Sequence, residues 1–289
     1  MCALSDENLG LRACFDQVLS ALAHVANARN EARWLLESVT GWPHATLIAD
    51  PGRQLSRDQW QVLQAALERR TQGEPLAYIL GSADFFGRTF RVSPAVLVPR
   101  PETELLVRCA LDKLAPVQQP RCLDLGTGSG AIAVSLALAC SSARVTATDL
   151  SPAALEVAQA NAQMLGAQLS FHQGHWFAAL LDSAQFDLIV SNPPYIAVDD
   201  PHLLVDGLRC EPVMALTDGV SEGLGLECIK AIVAGAPKHL VRGGWLLFEH
   251  GYDQGAASRN LLQNAGFQAV FTEQDFAGHD RVSGGRFLS

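Results

Sequence analysis

The chain has little positive charge. It carries 21 Lys plus Arg against 30 Asp plus Glu in 289 residues, a formal net charge of -9 with His neutral. This balance argues against a protein that wraps a nucleic-acid backbone, so we expect no direct nucleic-acid binding. At about 100 to 200 residues per domain, the length predicts two domains, and 48% apolar residues are enough for a large core.

Long apolar runs are also missing. The longest, residues 131–140, is far shorter than the roughly 20 residues that cross a bilayer. The start, MCALSDENLG, has acidic residues where a secretory signal carries positive charge, and no apolar segment follows. We therefore expect a cytoplasmic protein with no membrane partner.

No cysteine or histidine group has the spacing of a metal site. The seven Cys are odd in number and include no Cys-x-x-Cys pair. Only His172 and His175 among the eight His lie at helical spacing, without nearby ligand residues. We expect no metal, and we interpret the cysteines as small buried side chains in a reducing compartment.

The first 75 residues have helical periodicity. Apolar residues recur on one face from Leu11 to Leu22, and Ser56 with Gln59 forms a capping-box pattern before another helix. This predicts a small helical bundle over residues 1–75.

The next segment has the pattern of a β-hairpin. From Tyr78 to Val98, Phe and Val residues predominate, and Gly87 with Arg88 marks a turn. We interpret residues 76–98 as a hairpin linker.

Beyond Pro99-Arg100-Pro101, short apolar runs alternate with helical stretches, which is typical of an α/β domain with a parallel sheet. Ser151, Pro152 and Gly166 have the positions of N-cap, first residue and C-terminal glycine of one helix. We assign residues 99–289 to this domain, with strands at 121–125, 144–149, 169–172, 186–191 and 245–249, and helices at 130–140, 152–165, about 222–239 and 254–264.

A glycine-rich loop lies between the first of these strands and a helix, in the order Gly126, Thr127, Gly128, Ser129, Gly130. Glycine allows a sharp turn and a close approach of backbone to ligand. The spacing is also compatible with a dinucleotide-binding pattern, which would indicate an NAD enzyme, or with a purely structural turn.

Two carboxylates favour a different ligand. Asp124 lies at the tip of the strand, where it could hold an ammonium group and would repel a pyrophosphate. Asp149 ends the next strand, 19 residues after Gly130, where it could accept hydrogen bonds from two ribose hydroxyls. An adenosine with an amino-acid tail is S-adenosylmethionine. Asp149 could equally be a favourable charge at a helix N-terminus.

The turn Asn192-Pro193-Pro194-Tyr195 follows the strand at 186–191. Its prolines stiffen the backbone and leave carbonyl groups without local donors. The Asn192 side-chain oxygen and the Pro193 carbonyl could accept both N–H protons of an amide and so hold its nitrogen against an electrophile. Tyr195 could stack on the flat group that is held. The alternative is a simple strand-terminating turn.

These motifs together resemble the HemK/PrmC family, the methyltransferases that modify the glutamine of the Gly-Gly-Gln motif in peptide chain release factors. The resemblance covers nearly the whole chain. The NPPY turn is shared with other amino-group methyltransferases, whereas PRPETE together with the hairpin is specific. The matching segments are EPLAYILGSADFFGRTF (74–90), VLVPRPETE (96–104), DLGTGSGAIA (124–133), SNPPYI (191–196), EPVMAL (211–216), DG (218–219) and FEHG (248–251).

The resemblance implies a Rossmann-like class I methyltransferase domain with a seven-stranded, mostly parallel sheet. It implies class 1 release factors as partners and Asn192, Pro193, Pro194 and Tyr195 as the residues that hold the substrate glutamine, with Asn192, Pro193 and Tyr195 catalytic. The implied S-adenosylmethionine-binding residues are Asp124, Gly126, Thr127, Gly128, Ser129, Gly130, Asp149, Leu150, Trp176 and Asn192. Trp176 is expected near the adenine.

The chain departs from the family pattern at His175, where an acidic residue is usual, so the resemblance does not carry over an adenine contact to that side chain. In family terms the helical domain and the hairpin help to dock the release factor, with Arg100, Glu102 and Glu104 at the edge of the cleft. These three residues could instead only begin a helix.

Three other functions compete with this interpretation. An amino methyltransferase acting on adenine in nucleic acid could use the same turn after base flipping, although the net charge opposes it. An NAD-dependent oxidoreductase would leave Asp124 and the NPPY turn unexplained. A non-catalytic adaptor would not need the complete set of motifs. His250 is interpreted as a hydrogen-bonded histidine near the core.

Overall fold

The computed structural model describes residues 10–204, 207–220 and 223–288, and the chain divides into two compact units, Met1–Gly81 and Ser82–Ser289. The described part of the first unit is helical, which confirms the predicted bundle. Its helices are α1 (Leu11–Ala21), α2 (Ala28–Thr40), α3 (His44–Ala49), α4 (Arg57–Thr71) and α5 (Leu76–Leu80).

The predicted capping box at the start of α4 is present. Ser56 Oγ accepts a hydrogen bond from the Gln59 backbone at 3.1 Å, and Gln59 Oε1 accepts one from the Ser56 backbone at 2.9 Å. Both bonds satisfy backbone donors that have no partner within the helix. Trp60 and Leu63 follow on the buried face of α4.

The second unit begins with the hairpin of β1 (Ser82–Phe85) and β2 (Arg88–Arg91). Two details of the prediction are wrong. Tyr78 lies in helix α5, which ends at the left-handed Gly81, so the extended segment begins later. The turn residues are Phe86 and Gly87, and Arg88 already belongs to β2. Both turn residues have positive φ, 50° and 71°, as a two-residue hairpin turn requires.

The remainder of the second unit is an α/β domain, as predicted. Its described helices are α6 (Glu104–Leu114), α7 (Ala131–Ala139), α8 (Pro152–Leu165), α9 (Val213–Leu216), α10 (Glu227–His239) and α11 (Gly255–Asn264). Its strands are β3 (Arg121–Leu125), β4 (Arg144–Asp149), β5 (Ser170–Gln173), β6 (Phe186–Ser191), β7 (Leu240–Glu249), β8 (Gln268–Gln274) and β9 (Asp280–Arg286).

These seven strands form one sheet in the order β5-β4-β3-β6-β7-β9-β8. The first five in this order are parallel, and β9 is antiparallel to both β7 and β8. The predicted Rossmann-like fold is therefore confirmed. The pairing places β3 between β4 and β6, so the strand order reverses at β3, where α/β proteins bind ligands.

Several predicted boundaries are shifted. Strand β7 begins at Leu240 rather than at residue 245, because its first residues pair with β6 before the apolar run starts. Helix α10 begins at Glu227, after the left-handed Gly225; the predicted start, Glu222, lies outside the described residues. Helix α8 matches its prediction, with Ser151 Oγ accepting from the Ala154 backbone and Gly166 left-handed at the end.

Apolar side chains cover both faces of the sheet. On one face α6 and α7 contribute Leu106 and Leu136, and on the other α10 and α11 contribute Ile229 and Leu262. Because both faces of the sheet are buried, the sequences of the parallel strands are mostly continuous apolar runs. Within the described part of the chain, no helix is both long and apolar enough to cross a bilayer.

The cysteines follow the prediction in part. Cys14, Cys109 and Cys122 are buried, and burial raises the pKa of each of these thiols, which keeps them protonated at neutral pH. Cys210 is exposed, so the expectation of buried side chains is wrong there.

Candidate active site

The two sequence motifs meet at the carboxyl edge of the sheet. Strands β3 and β6 are neighbours, and Leu125 at the end of one pairs with Ser191 at the end of the other. Ser191 Oγ also donates a hydrogen bond to the Leu125 carbonyl at 2.8 Å. The glycine loop that begins at Gly126 and the turn that begins at Asn192 therefore start side by side.

The glycine loop is fixed by backbone hydrogen bonds to β4. The N–H groups of Gly126 and Thr127 both donate to the Thr148 carbonyl, each at 2.9 Å. Gly126 and Gly130 have φ of +70° and +81°. In this left-handed region a residue with a side chain would be strained. A Cβ on Gly130 would also lie 3.1 Å from the Ala158 Cβ on α8. Glycine is thus required for conformation at both positions and for helix packing at Gly130.

Asp124 lies beneath this loop. Its side chain is fully buried, and Oδ2 accepts a hydrogen bond from Thr127 Oγ1 at 2.7 Å. Oδ1 has no hydrogen-bond partner among the described residues. Burial raises the pKa of Asp124 to about 7, and the hydrogen bond from Thr127 opposes part of that rise. Asp124 does not line the cavity described next, so its direct contact with an ammonium group stays a prediction.

A cavity of about 550 Å³ opens above the loop. It is lined by residues from seven separate segments, and four of these segments contain residues that the sequence predicts to bind cofactor or substrate. The predicted residues that line it are Gly126, Thr127, Gly128, Ser129, Asp149, Leu150, Trp176, Asn192 and Pro194. Gly130 lies outside this lining and acts through the backbone.

Asp149 is held in the cavity wall by two backbone donors. Oδ2 accepts from the Gly128 N–H at 2.8 Å, and Oδ1 accepts from the Ser151 N–H at 2.9 Å. Burial raises the pKa of Asp149, and these hydrogen bonds offset part of the rise. A carboxylate has about four acceptor positions, so each oxygen retains capacity for a ligand hydroxyl.

The Trp176 ring lies against the glycine loop in the wall of the cavity. An added Cβ on Gly126 would lie 3.4 Å from the Trp176 ring. The backbone of Trp176 has a φ of 48°, unusual for a large side chain. His175 precedes it and also lines the cavity, with the two ring centroids 5.4 Å apart.

The NPPY turn separates this cavity from a smaller one of about 150 Å³. Asn192 borders both cavities, while Pro193 and Tyr195 line the smaller. Asn192 Nδ2 donates to Thr103 Oγ1 at 3.1 Å. Tyr195 Oη donates to Glu249 Oε1 at 3.2 Å, and burial raises the pKa of Tyr195, so the phenol is protonated.

The three charged residues of the PRPETE segment lie in different surroundings in the structure. Arg100 borders both cavities and forms an ion pair with Glu211, whose Oε2 accepts from the Val98 N–H at 3.1 Å. Glu104 begins α6, and its Oε1 accepts from the Phe86 N–H in the hairpin turn at 3.0 Å. Glu102 lies in a short 3₁₀ turn before α6 and is exposed. Of the three predicted cleft residues, Arg100 lines these two cavities, and Glu102 and Glu104 line neither of them.

Sequence reasoning missed four buried polar residues that support the site: Thr103, Asn161, Glu249 and Gln254. Gln254 Nε2 donates to the Tyr195 carbonyl at 2.9 Å and thereby holds the end of the NPPY turn. Glu249 is the last residue of β7 and Asp124 is the next to last residue of β3, so an acidic residue near a strand end was an available signal. His250 is buried, with Nδ1 and Nε2 each 2.8 Å from the Gly251 carbonyl and Ser283 Oγ, as a hydrogen-bonded histidine near the core would be.

Comparison with known protein families gives two matches. Residues 14–81 match the PrmC N-terminal domain, and residues 101–206 match the methyltransferase small domain. Among solved structures, the 16S rRNA methyltransferase RsmC of T. thermophilus is similar over 71% of this chain and 49% of its own, with 24% identity and a TM-score of 0.53. The hMettl16 catalytic domain is similar over 88% of this chain and 93% of its own, with 17% identity and a TM-score of 0.57. These structures share the fold.

Sequence relatives are much more similar. The release factor glutamine methyltransferase of Bordetella pertussis is 51% identical over 91% of this chain and 97% of its own. The protein of the same name from Vibrio cholerae is 48% identical over 89% of both chains. At this identity over nearly complete chains, the protein belongs to the release factor glutamine methyltransferase family.

Proposed function

We propose that this enzyme transfers a methyl group from S-adenosylmethionine to the side-chain amide nitrogen of the glutamine in the Gly-Gly-Gln motif of peptide chain release factors. The observation that carries the proposal is the 51% identity over nearly the whole length of a relative with that name. The site geometry supports it, since Asn192 stands between a large and a small cavity.

The large cavity fits S-adenosylmethionine. Its volume lies in the range of cofactor sites, and its glycine loop presents backbone close to the ligand. Asp149 is placed to accept hydrogen bonds from ribose hydroxyls, and Trp176 offers a flat face to the adenine. When bound, the cofactor supplies a methyl group on a sulfonium, which is a strong leaving group.

The smaller cavity suits the acceptor amide. Asn192 Oδ1 and the Pro193 carbonyl would accept the two amide N–H groups and direct the nitrogen towards the larger cavity. Held in this way, the nitrogen could take the methyl group that S-adenosylmethionine would supply, and the methylated nitrogen would then lose a proton to water. Positioning supplies most of the rate, and no covalent intermediate with a side chain is needed. A neutral Asn192 is suited to a neutral amide.

The release factor as partner is consistent with a net charge of -9, which does not favour direct nucleic-acid binding. We assign docking of this partner to the helical unit, residues 1–75 in the predicted division, and to the hairpin segment at residues 76–98, with catalysis by residues 99–289. Release factors act in translation, so we also propose a cytoplasmic location.

The test incubates the purified chain with S-adenosylmethionine and a class 1 release factor, followed by mass spectrometry of the Gly-Gly-Gln peptide. We expect a gain of about 14 Da on the glutamine. A release factor with alanine in place of that glutamine is the matched control and should stay unmodified. Methylation of an adenine-containing oligonucleotide without modification of the release factor would contradict the proposal and favour a nucleic-acid amino methyltransferase.

A further inference from the structure

The two ends of the Asn192 side-chain amide are chemically opposite. Oδ1 accepts hydrogen bonds and Nδ2 donates them. An amide rotated by 180° would direct its N–H groups at the N–H groups of the substrate, and the substrate nitrogen would no longer be held. Something in the protein must therefore fix which end faces the substrate.

Thr103 contacts the donor end. Asn192 Nδ2 donates to Thr103 Oγ1 at 3.1 Å, which leaves Oδ1 on the opposite side of the amide. Thr103 is 4% exposed and belongs to the short 3₁₀ turn Pro101–Thr103, 89 residues away in the chain. The contact therefore depends on the tertiary fold.

In this contact the Thr103 hydroxyl oxygen is the acceptor, so its own proton points away from Asn192. Valine in its place would offer no acceptor to Nδ2, whereas serine would keep one.

We infer that Thr103 is a positioning residue that holds Nδ2 of the Asn192 side-chain amide and so keeps the acceptor oxygen of that amide towards the substrate nitrogen. This inference rests on the proposed function. It assigns no substrate contact to Thr103, since this residue acts through Asn192.

The first test compares Thr103→Val, which keeps the size of the side chain and removes the hydroxyl, with Thr103→Ser, which keeps the hydroxyl. We expect Thr103→Val to lower kcat by about 10- to 100-fold and Thr103→Ser to retain most of it. The KM for the release factor and the Kd for S-adenosylmethionine should both stay within about twofold. The matched control is Thr146→Val, which removes a hydroxyl that lies 3.1 Å from Ser170 Oγ, outside the site.

A double-mutant cycle separates positioning from a general effect on folding. In an Asn192→Ala background there is no amide to orient, so adding Thr103→Val should lower kcat by less than about twofold. An equal loss in both backgrounds would overturn the inference. Should Thr103→Val fail to bind S-adenosylmethionine, Thr103→Ala enters the same cycle, and an undiminished loss on Asn192→Ala would again overturn it.

The outcomes also separate this inference from the proposed function. If the wild-type chain does not methylate the release factor, the proposed function fails. If it does, and Asn192→Ala is slow while Thr103→Val is as fast as wild type, only the positioning inference fails.

Discussion

The Asn161 side chain forms a two-way hydrogen-bonded pair with the backbone of Arg91. Oδ1 accepts from the Arg91 N–H at 2.7 Å, and Nδ2 donates to the Arg91 carbonyl at 2.9 Å. Nδ2 also donates to the Ser129 carbonyl in the glycine loop at 2.8 Å. One buried amide on α8 thus links the hairpin strand β2 to the loop that lines the large cavity.

Replacing this amide leaves several buried backbone groups without partners. We expect Asn161→Ala to lower the free energy of unfolding by about 2 to 4 kcal/mol, because each unsatisfied buried group costs about 1 to 3 kcal/mol. Urea denaturation measures the loss. Gln163→Ala, at an exposed position on the same helix, is the matched control. Equal stability of the two variants would contradict the role of Asn161.

Asn192→Ala removes one of the two proposed acceptors for the substrate amide. We expect kcat to fall by about 10- to 100-fold, because the nitrogen is less well oriented. The Kd for S-adenosylmethionine should change little. Steady-state methylation assays check this, with Asn264→Ala, exposed at the end of α11, as control. Unchanged turnover in Asn192→Ala would exclude the proposed role.

Asp149→Ala tests the cofactor site. We expect binding of S-adenosylmethionine to weaken by about 1 to 3 kcal/mol, because hydrogen bonds to a charged acceptor are lost. Calorimetric titration measures the change. Asp182→Ala removes an exposed carboxylate that pairs with Lys238 at 2.7 Å, and it should bind normally. An unaltered affinity in Asp149→Ala would refute the assignment.

Gly126→Ala tests the close approach between the glycine loop and Trp176. The new Cβ would lie 3.4 Å from the Trp176 ring at a φ of +70°. We expect the affinity for S-adenosylmethionine to fall about tenfold, or about 1.4 kcal/mol, because the added methyl group takes up space in the cavity wall beside the Trp176 ring.

The control for this change is Gly266→Ala. Gly266 has a φ of +85° with nothing within 4 Å of its added Cβ, so it carries the backbone strain without the crowding. Its cofactor affinity should equal that of wild type. If both variants lose stability and neither loses affinity, the Trp176 contact has no part in binding.

The raised pKa of Asp124 predicts that the free energy of unfolding depends on pH. Burial raises the pKa of Asp124 from 3.8 to about 7, so the folded chain keeps this proton at pH values where the unfolded chain has lost it. The contribution to stability is therefore complete below the unfolded pKa and is lost as pH rises towards 7.

We expect wild type to lose more stability than Asp124→Asn between about pH 4 and pH 7, by no more than about 4 kcal/mol. The variant keeps an acceptor for Thr127 but cannot titrate. Chemical denaturation of both proteins across this range gives the difference. If the stability of the two proteins changed equally with pH, Asp124 would have its ordinary pKa in the folded chain.

The prediction of β-structure failed for the two strands with the least typical sequences. Strand β9 contains Gly284 and Gly285, residues that are rare in strands, and β8 has its side chains exposed or half-buried along its whole length. Neither has the apolar run by which β3, β4 and β6 were recognised. Their pairing with each other and with β7 stabilises them in spite of weak local preference.

The sequence by itself determined the elements whose signals are local. The cap at Ser151, the glycine loop after Leu125 and the NPPY turn after Ser191 each depend on neighbouring residues, because backbone conformation is set by side chains within a few positions. The central parallel strands could be predicted for the same reason, since strands buried on both faces must be apolar.

Only the tertiary structure decided which distant residues support those motifs. Thr103 and Asn192 are 89 residues apart, Tyr195 and Glu249 are 54 apart, and Asn161 reaches back 70 residues to Arg91. No local pattern identifies such pairs. A buried polar side chain must find its partner through the path of the chain in space, and that path is set by the packing of the whole sheet.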